Sequence, residues 1–161
     1  MSHVEQPPLF AMPQSGYTTD DYYTPKWIFD ALGIEFDIDV ACPPQGSPHT
    51  PCKHFYTQET DGLTSPWWGT VWMNPPYSKP APWVEKWLAH GDGIALLPFA
   101  KSKWNQSLWQ TDQTKLIYLY EVKFARPIKT LTGSAPFSLG LWGIGDKAIE
   151  ALKSSGLGKV R

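Results

Sequence analysis

Hydrophobic and polar positions follow two alternating patterns along the chain. Short apolar runs that lead directly into proline-containing segments predict strands at 36–40, 70–73 and 94–97, and a further apolar run predicts a strand at 115–120. Apolar residues spaced three or four positions apart predict helices at 25–32, 82–90, 102–109 and 146–155. In the first helix, Thr24 is expected to be the N-cap, Pro25 the first helical residue and Gly33 the stop signal. The segment 135–144 predicts one long strand or a hairpin arm.

Strands that alternate with helices favour an α/β fold with a mostly parallel sheet and helices on both faces. In such sheets, ligands bind at the carboxyl ends of the strands. Residues 1–16 mix proline, glutamine and serine without apolar periodicity, which predicts a flexible N-terminal arm. Residues 17–161 are expected to form a single domain.

Composition narrows the class of protein. With 161 residues and 42% hydrophobic positions, the chain is long enough to bury a core of its own. A formal net charge of −1 does not indicate a nucleic-acid binder, so any such surface must be a local basic patch. Two cysteines, no long apolar run and no secretory signal favour a cytoplasmic protein with no membrane partner.

The segment Asn74-Pro75-Pro76-Tyr77, here called the tetrad, directly follows a predicted strand. Prolines fix φ and have no N–H, so they stiffen this loop. A stiff loop would hold the Asn74 side-chain oxygen near the Pro75 carbonyl, and these two acceptors could receive both hydrogens of one amino group. Tyr77 adds a flat ring, so the tetrad predicts a pocket for a planar ligand with an exocyclic amine, such as adenine. The alternative interpretation is a stiff turn without chemistry.

The tetrad resembles the catalytic motif of amino-group methyltransferases that use S-adenosylmethionine. The surrounding pattern resembles the phage-type, Dam-like DNA N6-adenine methyltransferases across roughly residues 20–145. The segments that carry this resemblance, in the order typical of that family, are YTPKWIFDAL at 23–32, FDIDVA at 36–41, DGL at 61–63, the tetrad, LLP at 96–98 and SAPF at 134–137. The chain departs from most such enzymes after its first strand, where Asp39 to Pro44 replace a glycine-rich turn.

The resemblance implies a shortened Rossmann-like methyltransferase fold with S-adenosylmethionine as cofactor. It implies a catalytic role for Asn74, Pro75, Pro76 and Tyr77, with a flipped-out adenine stacked on Tyr77. It implies cofactor contacts from Tyr23, Thr24, Pro25, Asp39, Asp61 and Asn74. Structural interpretations stay open beside these roles: Asp39 can simply end a strand, Asp61-Gly62 can be a turn, and Thr24-Pro25 is already explained as a helix cap.

Contacts with double-stranded DNA are expected from loops around the crevice. The candidates are Lys101, Lys103 and Trp104 after one strand, and Arg126 and Lys129 before another; a solvated surface explains these residues almost as well. A separate group of Cys42, His49, Cys52 and His54 lacks the spacing of a zinc site, so reduced core cysteines are favoured and no metal is expected.

The sequence therefore predicts a site-specific DNA adenine N6-methyltransferase, encoded by a phage or prophage and protecting DNA against restriction in a bacterial host cell. One alternative is methylation of a protein glutamine or an RNA amino group by the same tetrad. The other is a catalytically inactive nucleic-acid-binding module of the same fold.

Overall fold

The computed structural model describes residues 24–44, 46–119, 123–124, 133–134 and 138–161. The helices are α1 (Lys26–Leu32), α2 (Ala81–His90), α3 (Lys103–Gln110) and α4 (Asp146–Ser155). The strands are β1 (Phe36–Asp39), β2 (Cys52–Phe55), β3 (Val71–Met73), β4 (Gly93–Pro98), β5 (Thr114–Leu119), β6 (Lys123–Phe124), β7 (Gly133–Ser134) and β8 (Leu139–Ile144).

Six strands form one sheet in the order β2-β1-β3-β4-β8-β5. The four strands from β2 to β4 are parallel neighbours, whereas β8 is antiparallel to both β4 and β5. Since β8 opposes both of its neighbours, β5 points the same way as β4. The carboxyl ends of β1 to β5 therefore lie along one side of the sheet, called the carboxyl edge here. This is where α/β proteins place their ligands.

Helices cover both faces of the sheet, as the alternation of elements predicts. On one face α1 and α4 bury residues such as Ile28 and Leu152, and on the other α2 and α3 bury residues such as Trp87 and Leu108. This confirms the predicted α/β class, a shortened Rossmann-like sheet with flanking helices. No helix within the described ranges is long and apolar enough to span a membrane.

Helix ends agree with the predicted stop signals, but one start signal differs. Gly33 adopts a left-handed conformation with φ 65°, and its N–H donates to the Phe29 carbonyl to close α1. The prediction that Thr24 caps α1 is wrong, because Pro25 occupies the N-cap position and no side chain makes a cap hydrogen bond. Thr24 points instead to the loop after β3.

Two features of the sheet were not predicted. β2 has the sequence CKHF, in which an alternating apolar pattern is lacking, and it forms by pairing with β1, Phe36 opposite Cys52. The segment predicted at 135–144 is strand only from Leu139 onward within the described residues. The predicted arm at 1–16 lies outside the described ranges.

Candidate functional site

Asn74 is the first residue after β3 and lies at the carboxyl edge. Its side-chain Nδ2 donates a hydrogen bond of 3.2 Å to Oγ1 of Thr24, a residue only 3% exposed. This contact uses the nitrogen end of the amide and leaves the oxygen end as an acceptor. Asn74 Oδ1 accepts no hydrogen bond from any described residue. The side chain therefore presents a fixed oxygen at the end of a central strand.

The rest of the tetrad is held rigidly beside Asn74. Pro75 is buried, and its carbonyl accepts no hydrogen bond from any described residue. The Tyr77 hydroxyl donates to the Leu96 carbonyl of β4 at 3.1 Å, and its ring packs partly against the core on the α1 and α4 face. Two oxygen acceptors and an anchored aromatic ring therefore belong to one short loop at the carboxyl edge.

Asp39 ends β1 next to this loop. Asp39 is opposite Trp72 in the β1–β3 pair, so Asn74 lies two positions further along, roughly 8 Å away between Cα atoms. The carboxylate is 2% exposed, and burial raises the pKa of Asp39 to about 7 despite hydrogen bonds from the Ala41 N–H and the Thr50 side chain. Among the described residues, no lysine or arginine forms an ion pair with Asp39.

Asp61 is brought to the end of β1 by the glycine that follows it. A Cβ on Gly62 would lie 1.9 Å from the Val40 carbonyl oxygen, so only glycine allows this close approach. Asp61 itself has φ 52°, and its carbonyl accepts the backbone N–H groups of Thr64 and Ser65. The Asp61 side chain is exposed, which leaves its carboxylate accessible beside the exit of β1.

A lysine on α2 fixes the loop that carries Asp61. Lys86 Nζ donates to the carbonyls of Leu63, at 2.9 Å, and Ser65, and lies 5.0 Å from the centroid of the Trp67 ring. The Trp67 indole N–H in turn donates to the Gly62 carbonyl at 2.7 Å. Burial lowers the pKa of Lys86, and the nearby Asp61 carboxylate opposes that shift. We call the segment 57–67 the acidic loop.

The structure brings together most of the predicted site residues that it describes. Thr24, Pro25, Asp39 and the tetrad lie at the carboxyl edge, and the acidic loop places Asp61 beside them. Lys101 and Lys103 are exposed just after β4, whereas Trp104 is half-buried and packs against the core of the α2 and α3 face. Tyr23, Arg126 and Lys129 lie outside the described residues.

Cys42, His49, Cys52 and His54 lie in one short segment of the chain. Burial raises the pKa of Cys42 to about 12 and that of Cys52 to about 11, so both thiols carry their protons at neutral pH. Throughout the described ranges, no three side chains of histidine, cysteine, aspartate or glutamate come close enough to hold a metal ion.

Sequence reasoning missed Lys86 and the packing role of Gly62. The pair Asp61-Gly62 was visible as a turn signal, but its contact with Val40 depends on how the loop folds back on β1. No local pattern indicates Lys86, because its partners at 63–67 lie about two dozen positions earlier in the chain. Lys79, which is exposed directly after the tetrad, was also overlooked.

The fold and the position of the tetrad together define an α/β protein whose candidate ligand site lies at the carboxyl ends of its parallel strands. A family profile described as DNA N-6-adenine-methyltransferase (Dam) matches residues 14–118. The chain therefore belongs to the Dam family of DNA N-6-adenine-methyltransferases, as the resemblance predicted.

Two curated relatives are similar to parts of the chain. A protein of Haemophilus phage HP1 named DNA N-6-adenine-methyltransferase is 40% identical over 70 residues, covering 40% of this chain and 39% of the relative. A protein of Escherichia phage T1 with the same name is 36% identical over 84 residues, covering 48% of this chain and 32% of the relative. The matched segments thus span less than half of either relative. No solved structure matches the chain.

Proposed function

We propose that this chain transfers a methyl group from S-adenosylmethionine to the N6 amino group of an adenine in DNA. The observation that carries the proposal is the Asn74 amide, which Thr24 holds by its nitrogen at 3.2 Å so that its oxygen stays available at the carboxyl edge. Membership of the Dam family and the names of the two phage relatives support the same reaction.

The tetrad acts on the amino group of the adenine. The lone pair of N6 is delocalised into the ring, which makes this nitrogen a weak nucleophile. Hydrogen bonds from both N6 hydrogens to Asn74 Oδ1 and the Pro75 carbonyl would localise the pair on nitrogen and stabilise the positive charge that develops there. Because both oxygens belong to a loop stiffened by Pro75 and Pro76, this stabilisation needs little reorganisation during the reaction.

Tyr77 positions the target base. An adenine within a duplex cannot present N6 to a methyl donor, so it must first be flipped out of the stack. The Tyr77 hydroxyl is bonded to the Leu96 carbonyl, so the ring is anchored before the base arrives. Stacking on that ring would hold the flipped base in the plane of the two acceptors.

The buried carboxylate fits the charge of the proposed cofactor. When bound, S-adenosylmethionine supplies an electrophilic methyl group on a sulfonium centre, and its methionyl part carries an ammonium group. Asp39 is a buried acceptor without a cationic partner among the described residues. A cationic ligand would therefore offset the free-energy cost of burying its carboxylate. Asp61 would accept a hydrogen bond from the cofactor adenine, and Tyr23, Thr24 and Pro25 would close over the methionyl end.

The proposed substrate is double-stranded DNA, and the proposed setting is the cytoplasm of a bacterial host. Both named relatives are phage proteins. We therefore propose that this chain is encoded by a phage or prophage and marks DNA against restriction.

Single-turnover transfer of labelled methyl groups to unmethylated genomic DNA tests the reaction, with 6-methyladenine as the expected product. Asn74→Ala should lower the transfer rate on the order of a hundredfold or more while S-adenosylhomocysteine still binds, because the lost acceptor acts in the transition state. Asn74→Asp keeps an acceptor and should retain partial activity.

Gln113→Ala is the matched control, since it removes an exposed amide in the turn before β5 and should leave the rate unchanged. Parallel incubations with RNA and with protein identify the other amino-group acceptors. Label found in RNA or in a protein glutamine instead of DNA would overturn the proposed substrate, and wild-type protein that transfers to none of the three would overturn the enzyme.

A further inference from the structure

Three aromatic residues pack into a partly exposed cluster beside the site. Phe99 stacks on Tyr118 with ring centroids 5.2 Å apart and planes 20° apart, and Trp109 lies 6.0 Å from Phe99. Trp109 also packs edge-on against the buried Trp142 at 5.0 Å. Despite this packing, Trp109 is 55% exposed and Tyr118 44% exposed. We call Phe99, Trp109 and Tyr118 the aromatic platform.

The platform lies at the carboxyl edge, as the tetrad does, although Phe99 packs against the α2 and α3 face and Tyr77 against the α1 and α4 face. Phe99 directly follows β4, Tyr118 is near the end of β5, and Trp109 reaches Phe99 from α3. Met73 is opposite Ala95, so Asn74 is level with Leu96 and Phe99 lies three residues beyond it on the neighbouring strand. Strand geometry puts the platform on the order of 10–15 Å from Asn74. In a stacked strand, which rises about 3.4 Å per nucleotide, this distance spans three or four nucleotides, and in an extended single strand it spans fewer.

The surroundings of the platform suit a polyanion. Lys101 lies in the segment that joins β4 to α3, Lys103 is the first residue of α3, and both are exposed. The sequence from 93 to 111 contains no aspartate or glutamate. A phosphate chain that ran past the tetrad towards β5 would thus meet two cations and no opposing carboxylate along this segment.

The polar atoms of the platform already have partners inside the protein. The Trp109 indole N–H donates to Asn105 Oδ1 at 3.3 Å, and the Tyr118 hydroxyl shares a hydrogen bond of 2.7 Å with Ser138. The platform thus offers ring surface more than hydrogen-bonding groups, which suits stacking on any base without reading its identity.

We infer that the aromatic platform stacks on an unpaired DNA base a few nucleotides from the target adenine. A base inside a duplex is covered on both faces by its neighbours, so a protein ring can stack on it only where the strand is single or locally opened. The inference rests on the proposed action on DNA. It adds that the chain binds an opened strand at two places, the tetrad after β3 and the aromatic platform beyond β4.

Binding to a fluorescein-labelled oligo-dT tests the platform without the methyl-transfer reaction, because oligo-dT offers no adenine to the tetrad. Trp109→Leu and Tyr118→Leu should each weaken binding about tenfold, whereas Trp109→Phe and Tyr118→Phe should restore most of it. The slope of affinity against salt should not change in the Leu variants, because no phosphate contact is lost.

Trp68→Leu is the matched control, since Trp68 is another exposed tryptophan and packs near His54 at the β2 side of the sheet. It should bind oligo-dT like the wild type. Crosslinking of wild-type protein to oligo-dT that contains 4-thiothymidine gives a readout that needs no substitution. The crosslinks should map to the platform by mass spectrometry.

The outcomes separate this inference from the proposed function. Wild-type protein that methylates DNA but does not bind oligo-dT, or that crosslinks elsewhere, overturns the inference alone. Folded Leu variants with unchanged affinity for oligo-dT also overturn the inference alone. Leu variants that change self-association but not oligo-dT binding overturn it as well. Platform-dependent binding by a protein that methylates no DNA overturns the proposed reaction and leaves the stacking surface standing.

Discussion

At the scale of single residues, Asp39 is buried and has no cationic partner among the described residues. Burial raises its pKa from 3.8 to about 7, so ionisation of Asp39 opposes folding. The stability that its protonated form provides is fully present below about pH 4 and is lost as the pH rises through about 7. A bound cation would reverse this preference, because it favours the carboxylate.

We expect the affinity for S-adenosylhomocysteine, which keeps the ammonium group, to depend on the ionisation of Asp39. Calorimetry should show roughly constant affinity above about pH 7 and a fall of about tenfold per pH unit below it, with proton release on binding. Asp39→Asn should bind weakly, with little dependence on pH. Equal wild-type affinity at pH 5.5 and pH 8 would mean that Asp39 does not meet the charged end of the ligand.

Residue types and local spacing singled out the tetrad as a candidate site, but they did not predict the contact that orients Asn74. Thr24 followed by Pro25 has the local signature of a helix start. Its hydroxyl instead bonds Asn74, a residue 50 positions away, and that pairing is set by the way α1 packs beside β3. A local pattern carries no information on such a contact, so the capping prediction was wrong.

At the scale of elements, α2 and the acidic loop behave as one unit. The Lys86 ammonium bridges two loop carbonyls and covers the Trp67 ring, which itself holds the Gly62 carbonyl. Each link ties the loop to a helix that the core holds in place through Val84 and Trp87. Lys86 is therefore a positioning residue, which acts on any ligand of Asp61 through the loop.

Lys86→Met keeps the apolar stem and removes the donors, so the acidic loop should loosen without a change at the tetrad. We expect the KM for S-adenosylmethionine to rise roughly tenfold, about 1.4 kcal/mol, with kcat nearly unchanged. Lys86→Arg should restore part of the affinity, because it can still donate to the two carbonyls.

Lys26→Met serves as the control, since Lys26 makes only an exposed ion pair with Asp30 on α1. A fall in kcat with unchanged KM in Lys86→Met would contradict a positioning role for Lys86.

The strands that the sequence pattern revealed are those with several buried apolar residues. β4 and β8 are buried at every position, and β4 was predicted to within one residue at each end. β2 has three exposed residues out of four and gave no apolar signal. Its existence depends on hydrogen bonds to β1, which local sequence does not encode. The antiparallel placement of β8 between β4 and β5 is likewise a property of topology.

At the scale of the whole molecule, charge is distributed unevenly although the formal net charge is only −1. The segments 74–80 and 99–103, which follow β3 and β4, contain Lys79, Lys101 and Lys103 and no carboxylate. All three lysines are exposed. A nearly neutral protein can thus present a local basic surface at the carboxyl edge, beside the site that would receive the flipped base.

Binding to duplex DNA should therefore depend on salt through these three lysines. Each of Lys79→Gln, Lys101→Gln and Lys103→Gln should reduce the slope of log affinity against log salt by about 0.9, because each loses one phosphate contact. Lys115→Gln is the matched control: Lys115 is also exposed but lies near the start of β5, at the opposite edge of the sheet, and its loss should leave the slope unchanged. Anisotropy titrations across a range of salt concentrations measure these slopes. If the triple variant keeps the wild-type slope, the DNA approaches the protein from another direction, and the lysines after β3 and β4 are only solvated side chains.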